Sequence, residues 1–143
     1  MGPAAVGARR VPPPARAVAV ANALLLTADL LFGSNVQGSL AAAGHSVELI
    51  GDQAKLSERL GDDGKPAAQV LVVDLTDADL DGAGIVESLR ASHALGATRT
   101  LGFYSHVDAP ARQRAEAAGF DLVVPRSRMA REGAELVERI TSG

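Results

Sequence analysis

The sequence contains no cysteine and no tryptophan, and aromatic residues make up only 3% of its 143 residues. Without cysteine the chain cannot form disulfides, thiolate metal sites or a cysteine nucleophile. With so few aromatic residues, the core has to be built from alanine, valine, leucine and isoleucine. Apolar residues nevertheless reach 47%. This composition and length predict one domain with a buried aliphatic core.

The sequence also lacks an excess of basic residues and a long apolar run. It carries 14 basic and 17 acidic side chains, so we expect no direct binding to nucleic acid. No stretch reaches the roughly 18 apolar residues of a membrane span, so we expect no membrane association. The basic start and the apolar run at 17–26 have some features of a signal peptide, but Pro12–Pro14 separate them. We therefore expect a cytoplasmic protein.

Residues 1–17 consist almost entirely of alanine, glycine, proline, valine and arginine. Such a composition cannot bury much apolar surface, so it predicts a disordered tail. Residues 18–143 are predicted to form a single domain.

Short apolar runs alternate with segments of helical periodicity in this domain. The predicted strands are Ala21–Thr27, His45–Ile50, Gln69–Asp74, Arg99–Tyr104 and Phe120–Val124. The predicted helices are Leu30–Ala43, 53–61, Gly82–Leu95, Ala109–Ala118 and Met129–Ile140. This alternation predicts a doubly wound α/β fold with five parallel strands.

In sheets of this kind the functional crevice lies at the carboxyl ends of the strands. That rule selects four places in this sequence. They are Thr27–Asp29, Asp74, Ser105–His106 and Pro125–Arg126.

Two of these places carry a motif. The segment VLVVDLTDADLDG ends its apolar run on Asp74 and has Gly82 eight residues later, and LGFYSH places Ser105 after the fourth strand. In these features residues 22–141 resemble the receiver domains of bacterial response regulators. The resemblance implies a flavodoxin-like sheet of order 2-1-3-4-5. It also implies that Asp74 is the phosphoacceptor, a nucleophilic carboxylate, and that Ser105 supplies the switch hydroxyl.

The other two places depart from the receiver pattern. Receivers carry an acidic pair that binds Mg²⁺ after the first strand, whereas LLLTADLLFG has Thr27 and Ala28 there and Asp29 one place later. Receivers carry Lys-Pro after the fifth strand, whereas VVPRSR places Pro125 at the lysine position and Arg126 after it. An atypical or pseudo-receiver is therefore predicted. Asp29 and Asp74 bind Mg²⁺ weakly or not at all in this interpretation, and Arg126 replaces the lysine as cation.

The resemblance implies a signalling module that is no enzyme beyond self-phosphotransfer onto Asp74. No output domain is recognisable, so its effect is expected to pass through a histidine kinase or another signalling protein. Receivers commonly use their last two helices for docking or dimerisation, and arginines on these helices make a homodimer possible. Two alternatives stay open: a flavodoxin-like small-ligand binder, for which FGSN at 32–35 offers a helix N-terminus, and a structural interaction domain.

Three further interpretations concern single residues. Asp29 is also predicted to be the N-cap of the first helix. The residues Asp77, Asp79 and Asp81 are predicted to form a solvated acidic loop. His45, after Gly44, is interpreted as a turn residue.

Overall fold

Short aliphatic runs form the strands of one parallel sheet in the computed structural model, which describes residues 20–142. The strands are β1 (Asn22–Leu26), β2 (Ser46–Ile50), β3 (Val70–Asp74), β4 (Arg99–Tyr104) and β5 (Leu122–Pro125). The helices are α1 (Leu30–Ala42), α2 (Gln53–Leu60), α3 (Gly82–Ala91), α4 (Ala109–Ala118) and α5 (Arg126–Thr141). The strand order is β2-β1-β3-β4-β5, with every neighbouring pair parallel. The predicted fold class and strand order are confirmed, and the tail predicted at 1–17 lies outside the described residues.

The two faces of the sheet are covered by different helices. Successive side chains of a strand point to opposite faces, so Leu24 and Leu26 of β1 pack against one layer while Ala23 and Leu25 pack against the other. The first layer contains α2, α3 and α4, and the second contains α1 and α5. Both faces of the central strands are therefore buried, which explains their continuous apolar sequence.

Aspartates start four of the five helices. The carboxylates of Asp29, Asp52, Asp81 and Asp108 each accept a hydrogen bond from the backbone N–H three residues later, at the starts of α1, α2, α3 and α4. Pro125 precedes α5 and offers no side-chain cap. The predicted N-cap role of Asp29 is confirmed. Since every helix follows the carboxyl end of a strand, these caps also gather acidic side chains at that edge of the sheet.

Two helix boundaries differ from the prediction by more than one residue. Helix α3 ends at Ala91 rather than Leu95, because His93 adopts a left-handed φ of 61° and turns the chain out of the helix. Leu95 is nonetheless buried. It is a core residue that lies beyond the end of α3, and its apolar side chain therefore did not indicate a longer helix. Helix α5 begins at Arg126, directly after Pro125, rather than at Met129.

The interpretation of His45 as a turn residue is wrong. Its side chain is fully buried, and its Nδ1 accepts a hydrogen bond of 3.1 Å from the backbone N–H of Ala21. Because Nδ1 accepts, the ring proton lies on Nε2, which donates to Glu138 Oε2 at 2.9 Å. His45 thus ties the start of β1 to the last turns of α5.

We expect His45→Leu to lower the free energy of unfolding by about 1–3 kcal/mol, because it leaves the buried N–H of Ala21 without an acceptor. Urea denaturation followed by circular dichroism measures the change. Glu138→Gln is the control, since the amide oxygen still accepts from Nε2, and we expect it to cost less. Equal losses in the two variants would contradict this role of His45.

No helix within residues 20–142 has the length and apolarity needed to cross a membrane.

Candidate functional site

The predicted site residues meet at the carboxyl edge of the sheet. Asp74 is the last residue of β3, the central strand, and pairs in register with Phe103 of β4. Thr27 follows β1 on one side, and its N–H donates to the carbonyl of Ile50 at 3.0 Å. Ser105 follows β4 on the other side, and Arg126 begins α5.

Asp74 is buried, with only 2% of its surface exposed. Its Oδ2 accepts a hydrogen bond of 2.7 Å from the hydroxyl of Thr27. Its Oδ1 accepts two more from Thr76, one from the backbone N–H at 2.8 Å and one from the hydroxyl at 2.6 Å. We call Thr27, Asp74 and Thr76 the threonine clamp. Neutral donors thus satisfy the carboxylate that the sequence identifies as the phosphoacceptor by position.

Thr27 is fixed by the helix that follows it. Its hydroxyl accepts a 3.0 Å hydrogen bond from the N–H of Asp29, in addition to donating to Asp74. Its methyl group lies against Gly33 of α1, where an added Cβ would come within 3.0 Å of Thr27 Cγ2 and 3.1 Å of Leu49. The absence of a side chain at Gly33 therefore allows α1 to pack closely over the clamp.

Arg126 binds Asp29 and not Asp74. One guanidinium nitrogen lies 3.0 Å from Asp29 Oδ2, and the guanidinium carbon lies 4.2 Å from the centre of the Phe32 ring. Phe32 in turn packs on the buried ring of Phe103 at 5.0 Å between centroids. We call this arrangement the Arg126 stack. Arg126 and Asp29 are each 45% exposed, so we expect about 0–1 kcal/mol from the ion pair and a similar amount from the cation–π contact.

Ser105 and Arg126 share a groove that Asp74 does not line. The groove has a volume of about 410 Å³ and is lined by Phe32, Thr76, Ser105, His106, Arg126, Ser127 and Ala130. No hydrogen bond among residues 20–142 joins Asp74 to Ser105 or Arg126. The switch role of Ser105 and the charge-neutralising role of Arg126 stay predictions, as does the small-ligand alternative, for which this groove is the candidate site.

The side chains at this edge do not fit a magnesium site. Mg²⁺ needs several oxygen ligands with open lone pairs in near-octahedral geometry, but three of the roughly four lone-pair sites of Asp74 already accept hydrogen bonds. Asp29 uses one oxygen as the cap of α1 and the other for Arg126. Residues 20–142 contain no group of three or more histidine or acidic side chains placed to hold a metal ion. The weak metal role of Asp29 and Asp74 remains a prediction without support from this donor set.

Except for Arg139, the arginines of the last two helices form ion pairs with acidic side chains. Arg114 binds both Asp81 and Glu87 at 3.0 Å, and the hydrogen bond with Asp81 is the main cause that raises the pKa of Arg114 above its usual value. The remaining pairs on these helices are Arg112–Glu116, Arg128–Glu132 and Arg131–Glu132. This face is therefore mixed in charge, and the homodimer suggested by its arginines stays a prediction.

Thr76 and Phe32 were not singled out from the sequence, although both contribute to the site. The contact of Thr76 with Asp74 could have been predicted from the local sequence. An aspartate side chain often accepts a hydrogen bond from the backbone N–H two residues later, and a threonine at that position adds a hydroxyl donor. The contact of Phe32 with Arg126 joins residues far apart in the sequence and had no such signal.

Solved structures of similar fold identify the architecture. A response regulator of Chloroflexus aurantiacus superposes with a TM-score of 0.76 at 16% identity, over 87% of this chain and 100% of that one. The receiver domain of NarL from Mycobacterium tuberculosis gives 0.69 at 19%, over 87% and 98% of the two chains. The fold is that of response-regulator receiver domains.

A third receiver-fold structure carries ligands. A response regulator of Burkholderia pseudomallei, solved with a phosphorylated aspartic acid, a calcium ion and citrate, gives a TM-score of 0.69 at 15% identity. The match covers 85% of this chain and 69% of that one. No protein-family model matches the present sequence, and comparison with curated protein sequences finds no significant match. The resemblance inferred from Asp74, Gly82 and Ser105 is confirmed at the level of the receiver fold.

We expect Thr27→Val to lower the free energy of unfolding by about 1–3 kcal/mol, because it leaves a buried carboxylate oxygen and the N–H of Asp29 without partners. Urea denaturation measures the loss. Thr27→Ser keeps the hydroxyl and is expected to retain most of the stability. If the valine variant were as stable as the serine variant, the clamp hydrogen bond would contribute nothing.

Proposed function

We propose that this chain is a receiver-like signalling module that acts by binding another protein and does not depend on phosphorylation of Asp74. The observation that supports this proposal is the threonine clamp. It keeps the central carboxylate of the receiver fold buried and satisfied by neutral donors.

The carboxyl edge opposes phosphoryl transfer in two ways. An attacking carboxylate needs an open oxygen in line with the donor. Asp74 is only 2% exposed, and three of its roughly four lone-pair sites already accept hydrogen bonds. Phosphoryl transfer also relies on cations that neutralise the transferred group, while Arg126 is directed to Asp29. The phosphorylated regulator of Burkholderia pseudomallei was solved with a calcium ion, and the corresponding edge of this chain lacks a fitting donor set.

A docking surface is available at the same edge. Among residues 20–142 the exposed large hydrophobic side chains are Val20, Leu30, Leu31 and Val107. Three of these four follow the carboxyl ends of β1 or β4, on either side of the groove that contains Arg126. Single exposed hydrophobic residues are common, but their grouping at one edge is typical of an interaction site. A histidine kinase or another signalling protein is the kind of partner that suits a receiver fold.

We expect no phosphorylation when the protein is incubated with acetyl phosphate and Mg²⁺, because Asp74 is buried and largely hydrogen-bonded and the carboxylate of Asp29 is engaged with the start of α1 and with Arg126. Intact-mass spectrometry would then show no added phosphoryl group on the wild type or on Asp74→Ala. A receiver with a complete acidic pair, treated in parallel, is the positive control. An added phosphoryl group on the wild type that is absent from Asp74→Ala would overturn the phosphorylation-independent mechanism.

We expect Leu31→Glu to weaken partner binding by about tenfold or more, because it places a charge in an apolar contact. The partner would first be captured by cross-linking in the source cells and then purified for titration calorimetry. Val20→Glu is the matched control, since Val20 is similarly exposed but lies at the opposite edge of the sheet, and we expect no change in its affinity.

Asp74→Asn separates partner binding from phosphorylation. We expect this variant to bind the same partner as tightly as the wild type. Loss of binding in Asp74→Asn, with its thermal stability retained, would show that the chemistry of the carboxylate is needed and would contradict the proposal.

A further inference from the structure

The charge of this chain is divided unevenly along its length. Arg9, Arg10 and Arg16 lie in the first 19 residues, and no acidic residue precedes Asp29. The remainder of the chain therefore carries 11 basic side chains against 17 acidic ones. A basic segment and an acidic domain in one chain attract each other over about 10 Å at moderate ionic strength.

A second groove at the carboxyl edge is suited to a basic and apolar segment. It lies between the β3–α3 loop and the start of α4 and has a volume of about 350 Å³. Leu75, Ala83 and Pro110 contribute apolar surface, and Asp77 and Asp108 also line the groove. Neither aspartate takes part in a salt bridge among residues 20–142. Arg114 also lines the groove, but it is paired with Asp81 and Glu87, so Asp77 and Asp108 are the lining carboxylates without a cation from the described domain.

The basic segment has the composition that this groove requires. Its sequence from Arg9 to Arg16 is RRVPPPAR, which combines cations with valine and three consecutive prolines. Proline has a restricted φ, so less conformational entropy is lost when such a segment is ordered. Apolar side chains and prolines match the alanine, leucine and proline surfaces of the groove, and the arginines match its carboxylates.

The chain is long enough for this contact. The described part begins at Val20, before β1, and a strand of five residues spans about 17 Å from the amino edge to the carboxyl edge. Crossing two neighbouring strands adds about 10 Å. The ten residues from Arg10 to Val20 reach about 33 Å when extended. Because α2, α3 and α4 cover this face of the sheet, the segment has to pass over them, and a contact of Arg9 and Arg10 with the groove requires a nearly fully extended chain.

We propose that the segment Arg9–Arg16 docks in this groove of its own domain, with Arg9 and Arg10 against Asp77 and Asp108. The docked segment lies next to Thr76 of the threonine clamp, which also lines the groove. It competes there with any partner that approaches the β3–α3 loop. The contact is an intramolecular regulator of the carboxyl edge, and its existence does not depend on the proposed partner-binding function.

Paramagnetic relaxation in the full-length protein tests the contact. The sequence has no cysteine, so Ala8→Cys provides a single site for a nitroxide label beside Arg9. We expect the amide signals of 77–79 and 108–111 to lose most of their intensity in the oxidised sample and to regain it after reduction. We also expect the effect to fade at about 0.5 M salt, where charges are screened within a few ångströms.

Charge variants test the named partners. The double variant Asp77→Asn, Asp108→Asn removes both charges and keeps side-chain acceptors, including the cap of α4. We expect this variant to abolish the intensity loss. We expect the same result for the double variant Arg9→Gln, Arg10→Gln. Asp62→Asn with Asp63→Asn is the matched control in the α2–β3 loop and is expected to change nothing.

Three results would overturn the proposal. The first is the absence of selective broadening in the labelled wild type. The second is broadening that is centred elsewhere or that persists in the Asp77 and Asp108 variant. The third concerns a mixture of ¹⁵N protein without a nitroxide and ¹⁴N protein with the nitroxide. Equal broadening of the ¹⁵N signals in this mixture would assign the contact to a second copy. None of these measurements involves a partner, so failure here is distinguishable from failure of the proposed function.

Discussion

The hydrogen bond from Thr27 to Asp74 determines how the rest of the site is arranged. A carboxylate at the end of a central, doubly covered strand is costly unless its oxygens have partners. Thr27 meets this need from β1, and its own hydroxyl accepts from the N–H of Asp29. The β1–α1 turn is thereby held in place, and the side chain of Asp29 is left to cap α1 and to bind Arg126.

The buried and exposed parts of the site differ in strength. The Asp29–Arg126 pair is nearly half exposed, and such pairs contribute little because solvent and salt screen them. The threonine clamp centres on side chains with 2% exposure at Thr27 and Asp74, where loss of the Thr27 hydroxyl would leave the Oδ2 of Asp74 without a partner. The state of the site is therefore governed by neutral hydroxyl groups, while the ion pair and the Phe32 contact mainly orient Arg126.

The sequence specified the fold more completely than the site. Alternating apolar runs and helical periods predicted the parallel sheet and placed Asp74 at the end of a buried strand, because these patterns follow burial directly. The strand order came from the resemblance to receiver domains. Partners of buried polar groups depend instead on register between distant segments. Thr27 and Asp74 are 47 residues apart, and Ala21 and His45 are joined only because β1 and β2 pair in parallel. Local reading therefore assigned His45 to a turn.

The receiver fold can keep its shape while the chemistry of its edge changes, and the physical reason lies in the separation of core and edge. The sheet is stabilised by aliphatic packing on both faces, which tolerates substitution when volume and pattern are conserved. Superposition at 16% and 19% identity is consistent with that tolerance. The edge is built from loops and helix starts, where four aspartates serve as caps. Those caps stabilise helices without any metal. A buried central carboxylate with most of its lone-pair sites engaged, beside exposed acidic and apolar side chains, is the arrangement on which we base the proposal that this edge binds a protein segment and does not accept a phosphoryl group.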